Sequence, residues 1–353
     1  MTQKTMTLAN DQTQIARMNG MMKQAGQAAN KAASHRTFDR HIEGKAKNTE
    51  RRKRADLELF ETFLQSVNIP AHSMFNTPQA WQGVTWGIVE TFKAWQLQEG
   101  YAIASINGRL STVRTYAELA TQAGVITADE LRMIQTVKGF ANKEKPHIDE
   151  KRKAEGINTR KGFKKAKSII VPDDVVDLLT FPQNATQQAV RDALLMCLLF
   201  HHGLRISEAA ILTRQAFDLK AGTITFYRPK VDLTQTHVMT PDTRKAAVKY
   251  LEHAPETGII WRKTCKGTGK LSTQMSEVSA IRALSKRVEF LGQKYGIQGL
   301  SPHDARHTDA THESNSNTPL KRIMNKFGWK SPAMAMRYIE GSAIANEGTA
   351  RVI

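Results

Sequence analysis

The segment Ser301-Pro302-His303-Asp304-Ala305-Arg306-His307 holds more chemistry per residue than any other part of the chain. Ser301 reads as a helix N-cap, Pro302 takes the first helical position and Asp304 completes a capping box. His303 and Arg306, three residues apart, then project from one face of the first turn. Free amides and the helix dipole favour an anion there. An Arg adds a planar fork for phosphate oxygens, and a His adds a group that moves a proton near neutral pH. A surface helix also shows such a pair by coincidence, so the motif needs company. His303 and His307 are at i and i+4 with His312 nearby, which is a metal-like spacing. Zinc hydrolysis calls for further ligands and an acid in that stretch, where Arg306 repels a cation. Neither a metal nor another cofactor is expected.

Two more motifs supply that company. In Gly203-Leu204-Arg205-Ile206-Ser207-Glu208 the Gly ends an apolar helix, Arg205 sits in the connecting turn, Ser207 can cap the next helix, and Glu208 is placed to orient the guanidinium. The bland alternative is an Arg–Glu pair that pins two helices. Gly328-Trp329-Lys330-Ser331-Pro332 stops one helix and starts another, which carries Tyr338. Nothing local makes that Tyr a nucleophile, and a half-buried packing role is the ordinary reading.

Helices must position these groups. Residues 1–48 are rich in Gln, Asn, Ala and Lys and poor in large apolar groups, which reads as a mobile or weakly helical basic tail. From Thr49 the apolar spacing turns helical through Leu59, Phe60, Phe63, Leu64 and Val67, with a break at Pro70. A second helix follows through Trp86, Val89, Phe92 and Trp95. A third opens at Ser105 and carries Ile106, Leu110, Val113, Ala117 and Ala120, and Thr127 with Glu130 caps a fourth. Residues 49–140 are therefore expected to form a helical domain. Residues 141–168 carry ten Lys or Arg against four acids and read as a basic linker. A second domain, 169–340, shows helical patterns at 173–180, 186–201, 242–253, 276–295, 302–313, 319–327 and 332–340. Between them, 222–228 and 236–240 alternate like the strands of a hairpin, with Lys230 at its turn. The expected class is mainly α with a small β-sheet, an α+β fold.

Composition narrows the partner. Lys and Arg number 51 against 33 Asp and Glu, a net charge of +18, which points to a polyanion and first of all to nucleic acid. No apolar run reaches the length of a spanning helix and no secretory leader opens the chain, so no membrane is expected. Two cysteines support neither a disulfide framework nor a zinc site, and a cytoplasmic location follows as the default.

The order Arg205, Lys230, His303 with Arg306, Gly328-Trp329, then Tyr338, resembles the active-site signature of the tyrosine recombinase (phage integrase) family. Gly-Leu-Arg-Ile-Ser-Glu, Pro-His-Asp-Ala-Arg-His-Thr and the nine-residue step from Trp329 to Tyr338 carry the likeness. The helix with Ile106-Asn107-Gly108-Arg109-Leu110-Ser111-Thr112-Val113-Arg114 looks like the family's core-binding domain. The resemblance implies a site-specific recombinase in which Arg205 and Arg306 hold the scissile phosphate and Lys230 protonates the leaving 5′ oxygen. His303 assists at the nucleophile, and Tyr338 forms a 3′-phosphotyrosyl bond. Glu208 and His307 support the set, and Trp329 stands where many relatives have a second His, as in the Cre-like branch. Lys220, Lys263 and Lys266 are alternatives to Lys230. The departures are His202, where a small Thr often precedes the Gly, and a long Gly/Lys-rich segment at 262–275. Arg109, Arg114, Lys161, Lys164 and Lys165 are expected DNA contacts, and the two domains are expected to clamp double-stranded DNA bearing inverted-repeat core sites. The resemblance also implies a homotetramer on DNA, with residues 341–353 as the contact between subunits. A type IB topoisomerase-like enzyme and an inactive DNA-binding protein of the same fold are the competing readings.

Overall fold

The computed structural model describes residues 3–34, 36–160, 168–182, 184, 186–265, 267–316 and 318–336. The chain divides into two units, Met1–Lys164 and Lys165–Ile353. No helix among the described residues is long and apolar enough to cross a membrane.

The first unit is all helical: α1 (Gln3–Ser34), α2 (Thr37–Glu43), α3 (Lys47–Ser66), α4 (Trp86–Gln98), α5 (Ile103–Gln122), α6 (Ala128–Thr136) and α7 (Lys145–Ala154). Its core is an aromatic cluster in which Phe60 of α3 meets Phe92 of α4 edge-on at 4.9 Å and Trp81 stacks on Tyr116 of α5. Ile106, Leu110, Val113, Ala117 and Ala120 form the buried stripe of α5, as their spacing predicts. The helix starts at Ile103, however, with Ala102 as N-cap, so Ser105 lies inside it. The tail expected over 1–48 is helical through α1 and α2, and Phe38 of α2 is buried against Tyr116, so this core begins before residue 49.

The linker expected at 141–168 is likewise folded as far as residue 160. Arg152 of α7 is buried and donates to the carbonyls of Leu97 and Tyr101 at 3.0 and 2.9 Å. Arg160 donates to the Glu99 carbonyl and the Tyr101 hydroxyl, while its own amide reaches Gly100 O. A Cβ at Gly100, which has φ +75°, would overlap the Asn158 carbonyl, so this docking requires the glycine. Residues 161–167, with Lys161, Lys164 and Lys165, lie outside the described residues.

The second unit packs α8 (Asp173–Thr180), α9 (Gln187–Phe200), α10 (Ile206–Ala210), α11 (Pro241–Leu251), α12 (Glu277–Lys294), α13 (Pro302–Asn315), α14 (Leu320–Phe327) and α15 (Pro332–Ala335) around one apolar helix. That helix is α9, with every residue from Val190 to Phe200 buried. Strands β1 (Phe217–Asp218), β2 (Thr223–Arg228) and β3 (Leu233–Val238) form an antiparallel sheet in that order, with Thr223 opposite Val238 and Arg228 opposite Leu233. The returning strand thus starts at 233, three residues before the expected 236, and the turn holding Lys230 spans 229–232. The Gly/Lys-rich stretch makes a second hairpin, β4 (Arg262–Thr264) with β5 (Leu271–Gln274). It is tied to the N-terminal end of α9, where Gln188 N donates to Gly269 O and Arg191 donates to Arg262 O.

Candidate active site

The start of α13 is built as its sequence implies. Ser301 Oγ accepts from Asp304 N, and Asp304 Oδ2 accepts from Ser301 N at 2.8 Å and from Ser301 Oγ at 2.6 Å. Asp304 also takes the amide of Ile169 at 3.0 Å, and Thr308 Oγ1 takes that of Val171 at 3.0 Å, which fixes the segment leading into α8 onto the helix. His303 of the first turn is exposed and Arg306 is 1% exposed, so one helix face reaches from solvent into the core. His307 is half-buried beside Thr311 Oγ1 at 3.4 Å.

Arg306 is fixed by backbone oxygen from two other elements. One amino group donates to Gly203 O, just past the end of α9, and the other to Phe327 O at the end of α14, at 2.6 Å. Its guanidinium lies 4.9 Å from the Phe327 ring centroid and 5.5 Å from that of Trp329, and these two rings stack at 4.7 Å. Gly203 has φ +57°, and a Cβ there would overlap the Phe327 ring. The close approach of α9's end to α14 therefore needs glycine on both conformational and steric grounds. Trp329 is buried, and its amide donates to Met324 O at 2.9 Å. It follows Gly328, which caps α14 in the left-handed conformation.

Arg205 is itself the N-cap of α10. Glu208 reaches back to its amide at 2.9 Å and to its guanidinium at 2.7 Å, so the helix starts at Ile206 and Ser207 does not cap it. Glu208 is 1% exposed and has a second cation, Arg228, at 2.6 Å. Arg228 is fully buried. It donates onward to Lys326 O at 2.9 Å and to Gln235, whose amide caps Asn325 O. Burial pushes its pKa down to about 10, with Glu208 acting against the shift. The sequence reading missed this residue. The signal was present in β2, where Ile224 and Phe226 point inward and the same alternation places Arg228 inward too. A charge at an inward register needs a buried partner, and here it has one.

The helical framework thus brings Arg205, Glu208, Arg306 and Trp329 into one cluster and adds Arg228. Lys230 is exposed on its turn and makes no hydrogen bond or ion pair among the described residues. Tyr338 lies outside the described residues, and α15 is described only as far as Ala335 followed by Met336. In the first unit, Arg109 stacks on Tyr101 at 4.3 Å and donates to Gln96, while Arg114 donates to Val137 O, so both have intramolecular roles. Chemically, the cluster is a set of guanidiniums oriented in advance, with Arg205 the most accessible at 23% side-chain exposure. A guanidinium oriented in advance and open to solvent can hold a phosphate and stabilise charge that grows on it.

Residues 169–343 match the phage integrase family. The chain is 22% identical over 306 residues to the tyrosine recombinase XerC of Vibrio vulnificus (strain YJ016), covering 84% of this chain and 81% of that one. It is also 22% identical over 316 residues to the XerC of Syntrophus aciditrophicus (strain SB), covering 85% and 90%. Among solved structures, the Tn1549 transposon integrase in complex with transposon right end DNA matches with a TM-score of 0.56 at 14% identity, over 86% of this chain and 94% of that one. A lambda integrase dimer bound to a COC′ core site matches with a TM-score of 0.54 at 12% identity, over 88% and 96%.

Proposed function

We propose that this chain, whose residues 169–343 match the phage integrase family, is a tyrosine recombinase that cleaves and rejoins DNA strands at specific sites, and that Tyr338 is its nucleophile. The observation that carries the proposal is the cluster just described, in which buried Glu208 holds Arg205 and Arg228 together. A charge-stabilising site of this kind needs only a nucleophile and a proton source to transfer a phosphoryl group. Tyr338 stands nine residues after Trp329, the step that the family signature has.

In this reading the Tyr338 oxygen attacks the phosphorus, a phosphotyrosyl bond forms to the 3′ side, and the 5′ oxygen leaves. His303 accepts the phenol proton and Lys230 supplies one to the leaving oxygen. Arg205 and Arg306 hold the non-bridging oxygens. Trp329, at the position of a second His in many relatives, packs the pocket as in the Cre-like branch; an indole N–H donates but cannot relay a proton. Rejoining reverses the step, so the energy of the broken bond is kept and neither ATP nor a metal is consumed. The substrate is double-stranded DNA with inverted-repeat core sites. The active form is a homotetramer joined through residues 341–353, because exchanging both strands of two duplexes needs four nucleophiles.

A denaturing gel of protein with nicked suicide DNA, with and without EDTA, tests this. A covalent band that survives the chelator, leaves a free 5′-hydroxyl and disappears in Tyr338→Phe is the expected result. A band that persists in the Phe variant means that another residue attacks.

A further inference from the structure

Behind the arginine cluster lies an ionic group that the strand-transfer scheme does not use. Lys326 Nζ of α14 sits between Asp309 Oδ1 at 2.6 Å and Glu313 Oε1 at 2.8 Å, two acids one turn apart on α13. Asp309 is 5% exposed. Its second oxygen has no hydrogen-bond partner among the described residues and faces Gly203, where a Cβ would come within 2.9 Å of it.

What matters is where Lys326 stands in the chain. The last carbonyls of a helix have no partner within it, and in α14 three consecutive ones are put to use. Asn325 O takes Gln235, Lys326 O takes Arg228, and Phe327 O takes Arg306. The register of this final turn therefore sets the height of two guanidiniums. Ile323 and Phe327 seat the helix through apolar packing, and packing alone leaves a short helix free to slide by a fraction of a turn. Besides the three carbonyl bonds themselves, the side-chain ion pair of Lys326 is a directional contact that ties this same turn to α13.

We propose that Asp309, with Lys326 and Glu313, is a positioning unit that fixes the last turn of α14 and so places Arg228 and Arg306 for strand cleavage without touching DNA. The inference rests on reading this domain as a strand-cleaving enzyme. It implies that loss of the pair lowers the cleavage rate and spares DNA affinity, because the phosphate contacts made elsewhere persist.

Protonation should read out the same coupling. The groups facing Asp309 are Lys326 of α14, with Arg306, His312 and Glu313 of α13. Across a cleft of about 420 Å³ stand His201 at the end of α9, Asp242 of α11, and Asp173 and Asp177 of α8. Burial raises the Asp309 carboxyl to about 6, Lys326 opposes the shift and Glu313 adds to it. Protonation below that pH removes the charge that holds Lys326, so an acid limb in the cleavage rate should appear there.

The test is single-turnover cleavage of suicide DNA by the full-length protein from pH 5 to pH 8, alongside DNA affinity and melting temperature. Asp309→Asn should cleave about tenfold to a hundredfold more slowly, the size of effect that follows from small misplacement of reacting groups. Its DNA affinity should stay within about twofold, and the part of the acid limb that Asp309 adds should be gone, leaving the dependence that the base at the nucleophile sets. Asp309→Glu should recover part of the rate. Glu313→Gln, at a half-buried position, should move the limb to lower pH, because it removes a neighbour that raises the Asp309 pKa. A structural role alone would not shift that limb. If Asp309→Asn cleaves at the normal rate with the limb intact, or loses affinity in step with rate, the positioning role is wrong. Wild-type protein that forms no adduct at all would instead overturn the functional reading, and this inference with it.

Discussion

Replacing Glu208 with Gln changes one charge and almost no volume at a site where two cations meet. The native carboxylate accepts from the Arg205 amide, the Arg205 guanidinium and the Arg228 guanidinium, and Arg228 has no exposed surface. In the variant, the two guanidiniums face each other across a neutral amide whose NH2 cannot accept. Removing one partner of a buried ion pair costs about 3–5 kcal/mol, because the remaining charge stays desolvated. At about 2–4 °C per kcal/mol for a unit of this size, melting of the second unit should fall by about 6–20 °C. Circular dichroism melts of the wild type and Glu208→Gln measure this directly. A second comparison isolates the mechanism: adding Arg228→Met to Glu208→Gln removes the stranded charge and should return part of the lost stability. A drop below about 3 °C, or a double variant no better than the single, refutes the claim that Glu208 neutralises a buried cation.

Three further outcomes follow. Burial pushes His202 down to about 3 and His237 to about 4. Both are neutral when folded and protonate in the unfolded chain from about pH 6.5, so their contribution is complete above that pH and is lost as the pH falls towards 4. Asp309, raised to about 6, works in the opposite sense over part of this range, and two groups outweigh one. Melting temperature should therefore drop between pH 7 and pH 4.5, and a flat profile would contradict the burial of these rings. Trp329→His should retain more cleavage than Trp329→Ala, since His keeps a planar ring beside Phe327 and an N–H donor; equal activities would show that the ring is only filler. DNA binding should weaken with a log–log salt slope near −0.9 per phosphate contacted, and a slope near zero in filter-binding titrations would remove the phosphate-dominated interface.

The parts of the site legible in the sequence were those whose partners are close in the chain. Ser301 and Asp304 are three apart, as are Arg205 and Glu208, and the glycines at 203 and 328 announce helix ends; all of these were visible as spacing. Arg228 was not, because the carboxylate that neutralises it and the α14 carbonyl it caps stand 20 and 98 residues away, and only its inward register gives it away. Arg152 looked like part of a charged linker for the same reason, since it is satisfied by carbonyls 51 and 55 residues earlier. Local competition explains the smaller errors. Thr127 caps α6 as expected, but Glu130 accepts the distant Trp86 amide instead of completing the box. The Glu208 carboxylate moves the N-cap of α10 back from Ser207 to Arg205.

If the arginine cluster is the cleavage site proposed above, the bonds that hold the arginines also decide when this protein becomes able to cut DNA. Arg306 reaches back 103 residues to Gly203 O, and Arg228 reaches forward 98 residues to Lys326 O. Such closures are late events, because the intervening loop must be ordered before the contact repays it. A chain emerging from the ribosome therefore carries Arg205 long before the α14 carbonyls can complete the fixing of Arg228 and Arg306. Fragments that stop short of α14 have the first helix of the pocket but not its last wall. Synthesis from the N-terminus delays assembly of the pocket until nearly the whole chain is out, and truncated products should bind DNA without being able to nick it.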